Sequence, residues 1–426
     1  MTGKAKWTVL TYIAAHNNLQ EFGKRSLTDI LSVGSTSNVV HGALFDGKMG
    51  AGRYVMGDPG GVEWQKQEGS FDSGDPDELI RTAKWLFEQY PAERYGLVLW
   101  SHGTGWEPSE IEKIAKEARP FASADRAESK ERAATPGSQV LFRSTLRSLL
   151  KPDERPLRAI LFDDGTGHSL DTLELARVTN TITESIQQPL DFLGMDACLM
   201  ANLEVAYEVR KTVRYLVASE ELVPAHSWPY KEIFGALQKT PSMEGAELAK
   251  LVVDRYASFY MNHPPSGGDV TKVALDLGRV HMLVEAVDQL AAALRADMRQ
   301  VGDALWQAQV GTQEHETKKN TRRPNKFEYH LWDIGSLAAW LTKCGDSTAV
   351  QQASMNMVNV LSPGAGAVLA ERHRGEWFDG IGGASVYFMP PGRQRIAPSY
   401  ARLAFAKDTR WAEMQVLHRK VQYAAV

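Results

Sequence analysis

Cysteine is nearly absent. The 426 residues hold two, Cys198 and Cys344, too few for a disulfide framework and suited to a reducing cytosol. Long apolar runs are missing as well: no stretch approaches the ~20 apolar residues that a membrane span needs. Trp7–Ala15 is apolar but lacks a small-residue cleavage site. It reads as a first strand and not as a secretory leader, which places the chain in the cytoplasm. Positive charge is not in excess. A formal net charge of −4 and a pI near 6.3 argue against nucleic acid or a membrane surface as partner. No G-x-G-x-x-G or G-x-x-x-x-G-K-[ST] loop follows an expected strand, which weighs against nucleotide binding.

What remains is an ordinary globular composition, 43% hydrophobic and 23% charged, long enough to bury a large core. Trp7–Ala15 and Val39–Phe45 read as strands around a helix at Leu19–Val33. Arg53–Met56 and Val62–Trp64 flank Asp58-Pro59-Gly60 as a hairpin. Asp75-Pro76 opens a helix that runs to Tyr90, with acidic residues in its first turn. The first half is therefore an α/β pattern of the kind that winds helices on both faces of a parallel sheet.

Chemistry concentrates in two stretches. In PLDFLGMDACLMANLEVAYEVR, Phe192–Met195 has buried-strand length, and from Leu199 the apolar spacing turns helical. Cys198 sits between them. A thiol at a helix start is drawn toward thiolate by free N–H groups and the helix dipole, although most free cysteines are simply small buried hydrophobes. In RYGLVLWSHGTGW, Leu97–Trp100 reads as a strand buried on both faces, followed by His102-Gly103. Ligands bind beyond the carboxyl ends of parallel strands. Two such strands side by side would set His102 and Cys198 on one rim, where an imidazole can assist a thiol and protonate a leaving amine.

The WSHGTGW and DACLM segments resemble the two catalytic motifs of the clostripain family of cysteine peptidases, which have a caspase-like fold. WTVLTYIAAHNNL, YPAERYGLVLW, NLEVAYEV, VASEE, WPY and GGASVYFMP extend the likeness over most of residues 7–278 and patches beyond. The resemblance implies a cysteine endopeptidase with His102 as general acid/base and Cys198 as nucleophile. The N–H groups of Gly103 and Cys198 would be its oxyanion donors. It implies cleavage after Arg or Lys, with Asp196 matching an acidic pocket position; capping the next helix is that residue's alternative role. Where relatives have Asp, this chain has His16. PAHSWPY, with His226 and Trp228, would wall the pocket, and Glu220 and Glu221 could restore negative charge. A catalytically silent caspase-like scaffold is the alternative. No orienting residue for His102 can be named, so the expectation is a dyad.

The chain divides at about residue 268, where Asn262–Asp269 is rich in Pro and Gly: a caspase-like core over 1–268 and a C-terminal α/β subdomain over 269–426. Residues 107–158 read as a surface insertion. Caspases keep His and Cys about fifty residues apart; here the gap runs from 102 to 198. Relatives are often activated by cleavage in that interval, and Lys113, Lys116, Arg119, Arg126, Lys130 and Arg132 offer basic sites. The expected partners are a peptide or protein substrate and an activating protease or regulatory protein. Asp163–His168 resembles a metal loop but lacks the ligand spacing of a calcium hand, so it reads as a helix cap through Ser169 or Asp171. Some relatives use calcium, which leaves that cofactor open; no metal ligand is assigned.

Overall fold

A computed structural model describes residues 4–69, 71–106, 160–224, 226–263, 270–319, 331–389, 395–396 and 398–424. Its centre is strand β1 (Ala5–Ala14). Side chains alternate along it: Trp7, Val9 and Ile13 face one apolar cluster and Leu10, Tyr12 and Ala14 the other. That two-sided burial is what a strand with helices on both faces requires.

Around β1 lie β2 (Val39–Gly47), β3 (Gly50–Met56), β4 (Val62–Gln67), β5 (Ala92–Trp100), β6 (Leu190–Asp196), β7 (Val213–Ala218), β8 (Val270–Asp276) and β10 (Val368–Arg374). They form one nine-stranded sheet of order β10-β8-β7-β6-β5-β1-β2-β3-β4. The five middle strands run parallel, and the flanks are antiparallel. The expected mostly parallel sheet is thus its middle. A short ribbon of β9 (Leu331–Asp333) and β11 (Ser385–Tyr387) stands apart.

Helices α1 (Gln20–Val33), α5 (Tyr230–Lys239) and α6 (Gly245–Asn262) cover the face that carries Trp7 and Val98. The other face is covered by α2 (Pro76–Gln89), α3 (Thr172–Ile186), α4 (Leu203–Val209) and α7 (Val280–Ala296). Local rules place their ends. The Asp75 side chain accepts from the Asp77 N–H with Pro76 in the first turn, and Asp171 and Glu174 form a reciprocal capping box on α3. Ser169, the other expected cap, is not used. Leu157–Phe162 does not yield a strand in its described part: Ile160 makes only isolated bridges, to Gly103 and Leu170.

The expected division at about residue 268 does not part the sheet. β8 and β10 lie beyond it yet complete the sheet, and the larger apolar cluster mixes Leu97 and Leu193 with Leu290, Val386 and Trp411. Beyond α7 come α8 (Met298–Lys319), α9 (Ile334–Leu341), α10 (Thr348–Leu361), α11 (Ala404–Asp408) and α12 (Trp411–Ala424). Trp106 is clasped edge-on by Tyr387 and Tyr400, with ring centroids 4.9 and 4.6 Å away. The buried Glu204 accepts from Tyr387 N–H at 3.0 Å and Tyr400 O–H at 2.9 Å. Burial pushes that carboxyl up to about 7.

Candidate active site

β5 and β6 are parallel neighbours, and Trp100 pairs with Asp196. His102 and Cys198 each stand two residues past that pair, so the sheet itself delivers both to one rim. The backbones touch there: a Cβ on Gly103 would lie 2.5 Å from the Cys198 carbonyl oxygen and 2.9 Å from the Ala197 Cβ. Only glycine fits so close an approach.

Cys198 is half-buried, and its Sγ accepts the Val223 N–H at 3.2 Å. The expectation that it opens a helix is corrected by the structure. Leu199 takes a left-handed φ of 62°, the chain turns, and α4 starts only at Leu203 under an Asn202 cap. No helix dipole therefore acts on the sulfur. Burial pushes its thiol up to about 12, opposed by the Val223 N–H.

His102 is buried, edge-on to Phe162 with centroids 6.3 Å apart. Its Nε2 lies 2.9 Å from the Asn18 Oδ1. An amide oxygen can only accept, so Nε2 carries the proton and Nδ1 keeps its lone pair. Burial holds the ring down at about 3, hence neutral. Asn18 is the residue that sequence reasoning missed. It belongs to the turn after β1, where the Asn17 side-chain amide donates to the Ala14 and Phe162 carbonyls at 3.1 and 2.8 Å. The HNN tripeptide after a buried strand was the available signal.

Asp196 does not cap a helix. It is buried, and its Oδ2 accepts from the Ser227 hydroxyl, from Trp228 N–H at 3.2 Å and from Tyr230 O–H at 2.8 Å. Ser227 is itself fixed, with a φ of 65° and its oxygens engaged by Trp100 Nε1–H at 2.7 Å and Tyr260 O–H at 2.8 Å. The SWPY stretch thus wraps Asp196. Lys272 on β8 completes this group: it is fully buried, with Nζ 5.0 Å from the Trp228 ring centroid and 4.1 Å from that of Tyr256. Burial pulls its amine down to about 7, opposed by Asp196 and Cys198.

The other expected pocket residues go elsewhere. Glu220 does not join Asp196. Burial, with the carboxyls of Asp333, Glu371 and Glu221 facing it, raises it well above the carboxylate range, so it offers no counter-charge. Its N–H and that of Glu221 donate to Thr271 Oγ1 at 3.0 and 3.2 Å, and the Glu221 carbonyl accepts Leu199 N–H at 3.3 Å. Glu221 therefore shapes the cysteine loop through its backbone. His226 is exposed; desolvation, then Arg25 and His263, lower its pKa. The basic residues 113, 116, 119, 126, 130 and 132 lie outside the described residues.

His16 joins Asp46 and Asp163, one ligand atom of each lying within 4.8 Å of the others. Its Nδ1 is 3.3 Å from Asp163 Oδ1. This group does not fit calcium, a hard cation that takes six to eight oxygens. One of its three members is an imidazole, and both Asp163 oxygens already accept N–H groups, from Gly165, Thr166 and Ser73. The 163–168 run is a turn closed on its own aspartate.

A model of the clostripain family matches residues 11–133 and 149–417. The chain belongs to the clostripain family. Clostripain of Hathewaya histolytica is 26% identical over 173 residues, which cover 39% of this chain and 24% of that protein's own length. A secreted C11 cysteine protease from Bacteroides thetaiotaomicron, solved with an irreversible peptide inhibitor, superposes with a TM-score of 0.61 at 19% identity, covering 95% of this chain and 99% of the other. An inactive C11 zymogen from Parabacteroides distasonis gives a TM-score of 0.60 at 17% identity, covering 96% and 99%. The fold of this clostripain-family chain is therefore the caspase-like one.

Proposed function

We propose that this chain is a cysteine endopeptidase that works through His102 and Cys198 as a dyad. The observation that carries the reading is the parallel β5–β6 pairing, with the Gly103 backbone seated on Cys198. In the reaction, Nδ1 of His102 takes the Sγ proton and the sulfur adds to the scissile carbonyl. Backbone N–H groups of Gly103 and Cys198 are assigned to the resulting oxyanion. The imidazolium then protonates the leaving amine as the C–N bond breaks, leaving a thioester. Water, deprotonated by the same imidazole, releases the acid and restores the thiol.

Asp196, at the floor of the aromatic wall beside the nucleophile, supports a preference for Arg or Lys before the cleaved bond. Latency belongs to the same reading. With the thiol up at about 12 and the imidazole down at about 3, the proton stays on sulfur, so activation has to open or re-polarise the site. Cleavage between residues 107 and 159, or a regulatory partner, would serve. A cytoplasmic location is also part of this reading, in keeping with two free thiols.

The test is digestion of a peptide library by wild type and by Cys198→Ala, before and after limited proteolysis. Cleavage confined to the wild type, after basic residues and stronger after nicking, is expected. Undiminished cleavage by Cys198→Ala would end the reading. A folded wild type that cleaves nothing in either state would favour the scaffold alternative.

A further inference from the structure

Lys272 is a fully buried amine on the strand two places from the one that leads to Cys198. Register explains how it gets there. Gly194 pairs with Val217 and Ala218 with Val273, which sets Asp196 level with Ser219 and Ser219 level with Lys272. Adjacent strands are about 4.8 Å apart, so the two Cα atoms are roughly 10 Å apart across β7. Both side chains rise on the same face, since the Trp228 backbone binds one and the Trp228 ring covers the other. A lysine stem spans roughly 6 Å and an aspartate about 2.5 Å, so the two charged groups face each other over Ser219 without closing to a direct ion pair. The Asp196 Oδ1 and the Lys272 Nζ are both buried without a hydrogen-bond partner; beyond the donors on Asp196 Oδ2 and the rings over Nζ, each is the first opposite charge acting on the other.

We propose that Lys272 sets the residue preference of this site by supplying Asp196 with an internal counter-ion, which discounts a basic side chain arriving on a peptide. The inference rests on the peptidase reading with Asp196 at the pocket floor. An aspartate standing alone in a low-dielectric pocket attracts a guanidinium strongly. With Lys272 facing it across Ser219, the negative charge of Asp196 is offset from within, and an incoming cation meets a like charge near the one it seeks. Basic substrates are then accepted on the length and apolar stem of their side chains more than on charge. Lys272 is a specificity-setting residue and touches no reacting atom.

The experiment compares two peptides that differ only at the cleaved position, arginine against its neutral isostere citrulline, on the full chain as wild type, Lys272→Met and Lys272→Gln. The ratio of kcat/KM for arginine over citrulline should rise about tenfold or more in both variants. A ratio that is unchanged or lower in a variant with the wild-type circular dichroism spectrum overturns the proposal. In parallel, calorimetry follows agmatine, a small guanidinium probe, binding to Cys198→Ala with and without Lys272→Met. Binding should tighten about tenfold without the lysine, and equal affinities overturn the proposal. If no form cleaves either peptide, the peptidase reading has failed, while the agmatine result still decides the role of Lys272.

Discussion

Asn18 Oδ1 stands 2.9 Å from Nε2 of His102 and so marks Nε2 as the protonated nitrogen, the tautomer that the proposed dyad uses. In Asn18→Ala the ring loses its orienting acceptor. We expect kcat to fall by about 10- to 100-fold with little change in KM, as misplacement of a catalytic group costs rate more than binding. Asn18→Asp keeps an acceptor and should recover most of the loss. Steady-state kinetics on a cleaved peptide checks this; a large KM effect with kcat unchanged would assign Asn18 to the substrate instead.

Gly103→Ala forces a methyl group into the Cys198 carbonyl. Overpacking of this sort costs about 1–3 kcal/mol, and the strain falls on the loop that carries the nucleophile. The variant should melt several degrees lower and lose most labelling by a peptide-based thiol-reactive probe. Wild-type labelling would show that the two backbones have room to part.

His41 is buried against Phe234, with ring centroids 4.5 Å apart and neither nitrogen hydrogen-bonded. Burial lowers it from 6.5 to about 3. Below pH 6.5 the unfolded chain takes up a proton that the folded chain refuses, so stability falls as the solution is acidified and is regained as pH rises. This one group contributes about 2 kcal/mol of loss between pH 7 and 5. His41→Phe removes that share: its melting temperature should fall less than that of wild type over the same interval. Parallel curves would contradict the assignment.

Chelation should leave the fold untouched. The Asp163 oxygens are held by backbone N–H groups, and no step of the reaction passes through a metal. Melting curves with and without EDTA are expected to coincide. Asp163→Ala, by contrast, strips the buried Ser73 N–H of its acceptor, at about 1–3 kcal/mol if it stays unsatisfied, while the exposed Gly165 and Thr166 N–H groups turn to water.

Much of this was legible in the sequence because it is local. The apolar run Trp7–Ala15 announced a first strand, Asp75-Pro76 marked a helix start where it occurs, and Asp171 was one of the two caps expected for the next helix. The start of α4 was not legible. Leu199 and Met200 continue an apolar rhythm that reads as helix, and only the left-handed turn at Leu199 and the cap at Asn202 break it. Asp196 looked like a cap for the same reason. Asn18 and Lys272 were hidden differently: the HNN turn marked Asn18 only as a residue beyond a strand end, and the residue that each faces, His102 or Asp196, is set by strand order and register far along the chain. Lys272 sits in VTKVALD, where a lysine would ordinarily mark a solvent-facing position. Glu220 fails as a pocket residue because Asp333 and Glu371 arrive beside it from distant segments.

The strand order has a bearing on synthesis. From β1 outward, one side runs β2, β3, β4 and the other β5, β6, β7, β8, β10, so neither direction ever steps backward in chain order. A nascent polypeptide can therefore assemble its sheet by accretion as it leaves the ribosome, each new strand docking on a margin already laid down. None has to be threaded between two neighbours already in place.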